Sequence, residues 1–248
     1  PVLAGALPDV AALEMLAGQT QAAERALELS RAATAEALAP MPKGDKSHDV
    51  WPVSDEVLSA ELALMAGKTE RAFVLADAAA RTLRAIEVPE AERINSNVRL
   101  DIFKWALSVA ADAAIGTGRY GEAETLLREY LAAPSAAWSL RDPAVRTAAV
   151  RVTLAHALSS QGRSREALEL LAPELRRYRA VRAQGARDVD FQHDFAYALY
   201  VGALLTDVPR ERNALLQEAA KLLSELSQEA QDLSTIRRLK GRIAAAQV

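Results

Sequence analysis

Three histidines, His48, His156 and His193, are the only imidazoles in these 248 residues, and cysteine is absent. A thiol nucleophile, a cysteine-ligated zinc and a disulfide framework are therefore excluded. No two histidines stand four apart, the spacing that would point both rings of one helix at a metal. His193 precedes Asp194, but adjacent helical side chains diverge by about 100 degrees, so the pair does not read as a base with its orienter. GTGRYG at residues 116–121 matches G-x-G-x-x-G. A phosphate loop needs a strand before it and a helix with open amides after it. Here a long helical pattern precedes, Glu122 and Glu124 follow, and GRSREA stands at the equivalent place of another segment, so the motif reads as a turn between helices. There is no Walker loop, no G-x-S-x-G elbow and no H-E-x-x-H. No catalytic residue, metal ligand or cofactor is assigned. An enzyme survives only if a pocket gathers His156 or His193 with carboxylates from a neighbouring helix.

Charge is the next chemical signal. Residues 1–134 carry 13 basic and 20 acidic side chains, and residues 135–248 carry 17 and 13. Such polarity either orients a partner, promotes head-to-tail contact or is an uneven solvated surface. Arg176, Arg177, Arg179, Arg182 and Arg187, with Arg237, Arg238, Lys240 and Arg242, are weighed for nucleic acid. Phosphate binding needs several cations on one coherent surface. In a chain of net charge -3 these read as solvated helical faces or as a groove for an acidic partner, and nucleic acid is not expected.

Half of the residues are apolar, only 5% are aromatic, and 53 are alanine. That is a helix-former's composition with a thin core of closely approaching helices. No apolar run approaches the roughly 18 residues of a membrane span, so membrane insertion is not expected. The spacing of Leu58, Leu62 and Met65, or of Leu100, Phe103 and Leu107, is helical, and strict alternation is almost absent.

Small residues repeat along these helices. Glycine followed five residues later by alanine occurs as Gly18 and Ala23, Gly67 and Ala72, Gly118 and Ala123, and Gly162 and Ala167. Seven residues before each glycine stands Ala11, Ala60, Ala111 or Ala155. Two antiparallel helices joined by a tight turn approach closely only where facing positions lack bulk, and glycine permits the turn's dihedrals. Each repeat is therefore a helical hairpin. Leu27, Leu127 and Leu171, four residues beyond the second alanine, would fill the layer between hairpins, with Ala76 in that place in the second repeat.

On these residues the chain resembles the tetratricopeptide repeat family, whose units are helix-turn-helix pairs with small residues at such contacts. The glycines lie 49, 51 and 44 residues apart, longer than the family's usual period of about 34; the extra length falls in helices and linkers. Glu56 and Arg151 replace the early aromatic in two repeats. The resemblance implies an all-α, right-handed α-α superhelix, a solenoid of about five hairpins plus a C-terminal capping helix. As one domain over residues 1–248, its repeats are 9–39, 54–87, 91–133, 142–184 and 188–230, its cap 232–247, and residues 40–53 a linker. Helices are expected at 9–17, 20–39, 54–66, 69–87, 91–115, 121–132, 143–160, 164–184, 189–206, 210–229 and 232–246, with Ser54 and Asp142 as N-caps.

In that family the first helix of each pair lines the concave side and receives a peptide or partner helix. Counting back from the glycines places Trp105, Ser108 and Asp112 of the third repeat and His156 of the fourth on that side. The fifth adds His193, Tyr197 and Tyr200, and Asn97, Arg99 and Lys104 precede Trp105 on its helix. Trp105 either anchors a partner or packs between layers. The expected function is non-enzymatic binding of a protein or peptide segment. The alternative is a sensory or regulatory domain of a larger bacterial signalling protein with an attached effector domain, suggested by a first residue, Pro1, that is not methionine.

Overall fold

Between the glycines, alanine, leucine and long charged residues fill segment after segment, and the chain is helical through them. The computed structural model describes residues 20–87, 93–134 and 143–247. Among them are eleven helices and no strand: α1 Thr20–Leu38, α2 Ser47–Met65, α3 Thr69–Ala85, α4 Arg93–Gly116, α5 Tyr120–Ala132, α6 Pro143–Ser160, α7 Ser164–Ala183, α8 Val189–Leu204, α9 Pro209–Ser224, α10 Gln228–Gln231 and α11 Ser234–Ala246. The helix expected at 9–17, with Ala11 and Gly18, and the Asp142 cap lie outside the described residues. The chain packs as two compact units, Pro1–Pro143 and Ala144–Val248.

The turn glycines do what their spacing demands. Gly67, Gly118 and Gly162 have φ of 76°, 76° and 77°. At each, the glycine N–H donates three residues back and the next N–H five back: Gly67 to Leu64 and Lys68 to Ala63, Gly118 to Ile115 and Arg119 to Ala114, Gly162 to Ser159 and Arg163 to Leu158. This is the Schellman arrangement, which uses a left-handed residue to satisfy carbonyls at a helix end. A Cβ on Gly162 would meet nothing within 4 Å, so dihedral strain alone governs substitution there. Gly162→Ala is expected to lose about 1 kcal/mol, the left-handed cost less the entropy removed from the unfolded chain. Urea denaturation measures it, and an unchanged midpoint would remove the strain account.

The paired alanines are the helix contacts. Ala60, Ala72, Ala111, Ala123, Ala155 and Ala167 are all fully buried, as are Ala76 and, nearly so, Leu127 and Leu171. A side chain without bulk at these six positions lets backbones approach, and the leucines fill the layer behind them.

In the first unit α1 packs on α2, α2 on α3 and α4, α3 on α4, and α4 on α5. The expectation of a linker over 40–53 with Ser54 as cap is corrected: α2 begins at Ser47, and Pro52 lies inside it. Ser54 Oγ donates to the Trp51 carbonyl instead. Pro52 forfeits only the bond to the His48 carbonyl, while Val50 and Val53 beside it are buried. The start of α2 is held by Asp45, which accepts from the Ser47 N–H at 2.8 Å, and by Ser47 Oγ donating to Asn95 of α4 at 3.0 Å.

In the second unit α7 packs on α8, α8 on α9, and α11 on both α8 and α9. Phe195 of α8 is fully buried, stacked on Tyr178 of α7 at 5.6 Å and tilted toward Phe191 at 6.1 Å. Buried Glu174 of α7 accepts from Arg151 of α6 at 2.9 Å. The helix expected over 210–229 ends at Ser224, because Ser227 caps a separate single turn by accepting from the Ala230 N–H. No described helix is long and apolar enough to cross a membrane.

Candidate partner-binding surfaces

In the first unit, α4 carries Asn97, Arg99, Lys104, Trp105, Ser108 and Asp112. Asp112 is exposed and the others are half-buried. Trp105 lies against the cluster of Ala23, Ala26, Leu27, Leu58 and Leu62, so much of its ring area is committed to the layer between helices. Arg99 Nη1 donates to the Leu83 carbonyl at 3.0 Å, satisfying the last turn of α3. Lys104 Nζ sits 4.9 Å above the Tyr130 ring of α5, a cation–π contact within the fold. Both cations on this face therefore hold helices together.

The second unit gathers its candidates across helices. His156 of α6 is 7% exposed. Its Nδ1 is 2.8 Å from the Tyr197 hydroxyl, a distance that either tautomer satisfies. Its ring lies edge-on to Tyr197 and Tyr200 of α8, at 5.9 and 6.1 Å, and the two tyrosines stack at 6.4 Å. Burial lowers the His156 pKa to about 4, with a further push from the Arg242 charge of α11. The imidazole is therefore neutral at pH 7 and acts as a hydrogen-bonding floor beneath two half-buried phenols.

His193 is not joined to this cluster. Its Nδ1 instead lies 3.2 Å from Asp194 Oδ1, which corrects the expectation that these adjacent side chains diverge. Arg242, which sequence groups with a solvated cationic face, is near enough for its charge to act on His156. The available signal is that α11 carries Arg237, Arg238, Lys240 and Arg242 and no acid.

Part of the other arginine run is structural. Arg179 pairs with Glu218 at 3.2 Å and Arg182 with Glu225 at 2.7 Å, joining α7 to α9 and to the residue after it. The hydrogen bond from Arg182 holds the Glu225 carboxyl below its ordinary range. Arg84 binds Glu129 through two N–H groups, at 2.9 and 2.8 Å, between α3 and α5 of the first unit. Rungs of this kind fix register and are worth about 0–1 kcal/mol each. No group of three or more potential metal-binding side chains occurs among the described residues.

Two solved structures match this chain, both of nearly identical TPR-like repeats from a Podosopora anserina kinesin light chain, one of them a single-substitution variant. The variant is 20% identical, spans 91% of this chain and 97% of its own, and superposes with a TM-score of 0.50. The other is also 20% identical, with coverages of 90% and 96% and a TM-score of 0.49. At that identity the likeness concerns the fold. The protein is an all-α, TPR-like helical-repeat protein, as the glycine and alanine spacing implied. No family model matches the chain, and no curated protein matches it.

Proposed function

We propose that this protein is a non-enzymatic interaction module that holds a peptide or protein segment against the first helices of its hairpins. The observation that carries this reading is the joining of His156, Tyr197 and Tyr200 from the first helices of two successive hairpins. Stacked, half-buried tyrosines offer large contact area with little freedom left to lose, the character of interface anchors. Trp105 adds, in the first unit, the part of its ring that packing against α1 and α2 leaves exposed. The TPR-like fold supports the reading because such folds generally serve as protein-interaction scaffolds.

The test is a pull-down from a lysate of the protein's own source, with the parent chain and with a Trp105→Ala, Tyr197→Ala, Tyr200→Ala variant whose helicity circular dichroism has verified. A partner retained by the parent and lost by the folded variant is the expected result. Equal retention by both would move the interface away from the first helices and overturn the placement.

A further inference from the structure

The positive surplus of the second half of the chain is concentrated in its last helix. Residues 135–248 hold 17 basic and 13 acidic side chains. Four of those bases, Arg237, Arg238, Lys240 and Arg242, and none of the acids fall in α11, so the remainder carries 13 of each. α11 packs on α8 and α9 and buries Ile236, Leu239 and Ile243. At about 100° per residue the four cations fan over the opposite arc, among exposed Gly241, Ala244 and Ala245. Lys240 Nζ turns back to donate to Gln231 Oε1 at 2.6 Å, so the three arginines define the outward face.

The first half has the opposite surplus, 20 acids to 13 bases over residues 1–134. Among the described helices of the first unit, α2 is the one that carries acids and no base: Asp49, Asp55, Glu56 and Glu61. Asp55 is buried and accepts from Ser30. Asp49 and Glu56 are exposed and seven apart, two turns along one face. Asp49 also pairs with Lys46 at 2.9 Å, an exposed bond that competes weakly.

We infer that the outward face of α11 docks on the acidic face of α2 in a second copy of this chain. Charge complementarity selects that occupant. One arginine face repels another, so two copies do not meet through α11 alone, whereas each copy holds a surface of the opposite sign. The contact is heterologous, joining different surfaces of the two copies, and so repeats from copy to copy. One helix face on each side makes a small interface, and the association is weak and carried by charge. It uses a surface other than the aromatic groups of the first helices and is independent of the interaction reading above.

Sedimentation velocity of the full chain in about 20 mM and about 300 mM salt tests this. In low salt the weight-average mass is expected to rise with concentration past that of a dimer. The higher salt is expected to weaken association about tenfold or more. A chain with Arg237→Glu, Arg238→Glu and Arg242→Glu, and another with Asp49→Lys and Glu56→Lys, are each expected to sediment as monomers. Their equimolar mixture is expected to associate again, because each supplies the surface that the other has reversed, and that recovery shows both to be folded. Arg176→Glu with Arg210→Glu, a reversal of two exposed arginines elsewhere in the second unit, is expected to associate as the parent does.

A monomeric parent in low salt, an association indifferent to salt, or an equal loss in the Arg176, Arg210 variant would each overturn the inference. So would a mixture that stays monomeric while both reversed variants keep the parental helicity by circular dichroism. A monomeric parent that binds phosphatidylserine vesicles, and loses them on reversal of the α11 arginines, would overturn it in favour of an anionic lipid surface.

Discussion

Truncating Phe195 to alanine is expected to lower the unfolding free energy by about 3–5 kcal/mol, the range for deleting a fully buried phenylalanine. Phe195 has no exposed surface and stacks on Tyr178 with an interplanar angle of 11°. Its loss leaves α7 and α8 facing a void, because the alanines elsewhere in this unit are too short to relax into it. Tyr178 moderates the effect: its hydroxyl is buried without a partner, and burial pushes its ionisation up. A hole beside that hydroxyl invites water, which places the loss toward the lower end of the range. Urea denaturation of Phe195→Ala against the parent checks the magnitude, with Phe195→Leu expected to lose less. A loss below about 1 kcal/mol for the alanine variant would show that the α7–α8 contact does not carry the unit.

The second large effect is a dependence on pH set by His156. Its pKa is near the ordinary 6.5 when unfolded and about 4 when folded. Between these values the unfolded chain binds a proton that the folded chain does not, so stability rises with pH. The contribution is fully present above pH 6.5 and is lost as pH falls toward 4. It amounts to a few kcal/mol, on the order of 3, because each pH unit between the two values corresponds to about 1.4 kcal/mol. The Tyr197 and Tyr200 rings of α8 lie edge-on to the imidazole, and the charge of Arg242 on α11 acts on it. The phenols are uncharged in this range, and the arginine keeps its charge throughout. Denaturation midpoints at pH 7 and at about pH 4.5, inside that window, measure the slope, and His156→Gln is expected to flatten it. An equal slope in that variant would assign the dependence to the carboxylates.

The hairpins are legible in the sequence because their cause is local. A glycine at φ near 76° and an alanine without bulk at fixed offsets are requirements of one turn and two neighbouring helices, so they appear as spacing. The start of α2 is not legible for the opposite reason. Pro52 and Gly44 read as breakers, and what outweighs them is distant: Asn95 on another helix ties Ser47 down, and buried Val50 and Val53 reward continuing the helix. The split of the helix expected at 210–229 escapes a sequence reading because Ser227 resembles one more polar surface residue until it serves as a cap.

The candidate site divides along the same line. Tyr197 and Tyr200, three apart on one helix, are paired by counting. Their meeting with His156, 41 residues before Tyr197, comes from packing that no single segment encodes. Arg99 shows the converse. Residue type places it in a partner-binding set, yet its guanidinium finishes the end of α3, a role set by the neighbouring helix.

The neighbour-by-neighbour packing of α1–α5, and that of α7–α11, also sets a timescale. In each unit the helix contacts run between segments adjacent in the chain or at most three helices apart. Little chain must be closed before a contact forms, and helical proteins with such local contacts fold in microseconds to milliseconds. Contacts confined to neighbours also let a terminal helix detach while the hairpins behind it persist. In the second unit that helix is α11. Amide hydrogen exchange would then proceed faster in Ser234–Ala246 than in α8.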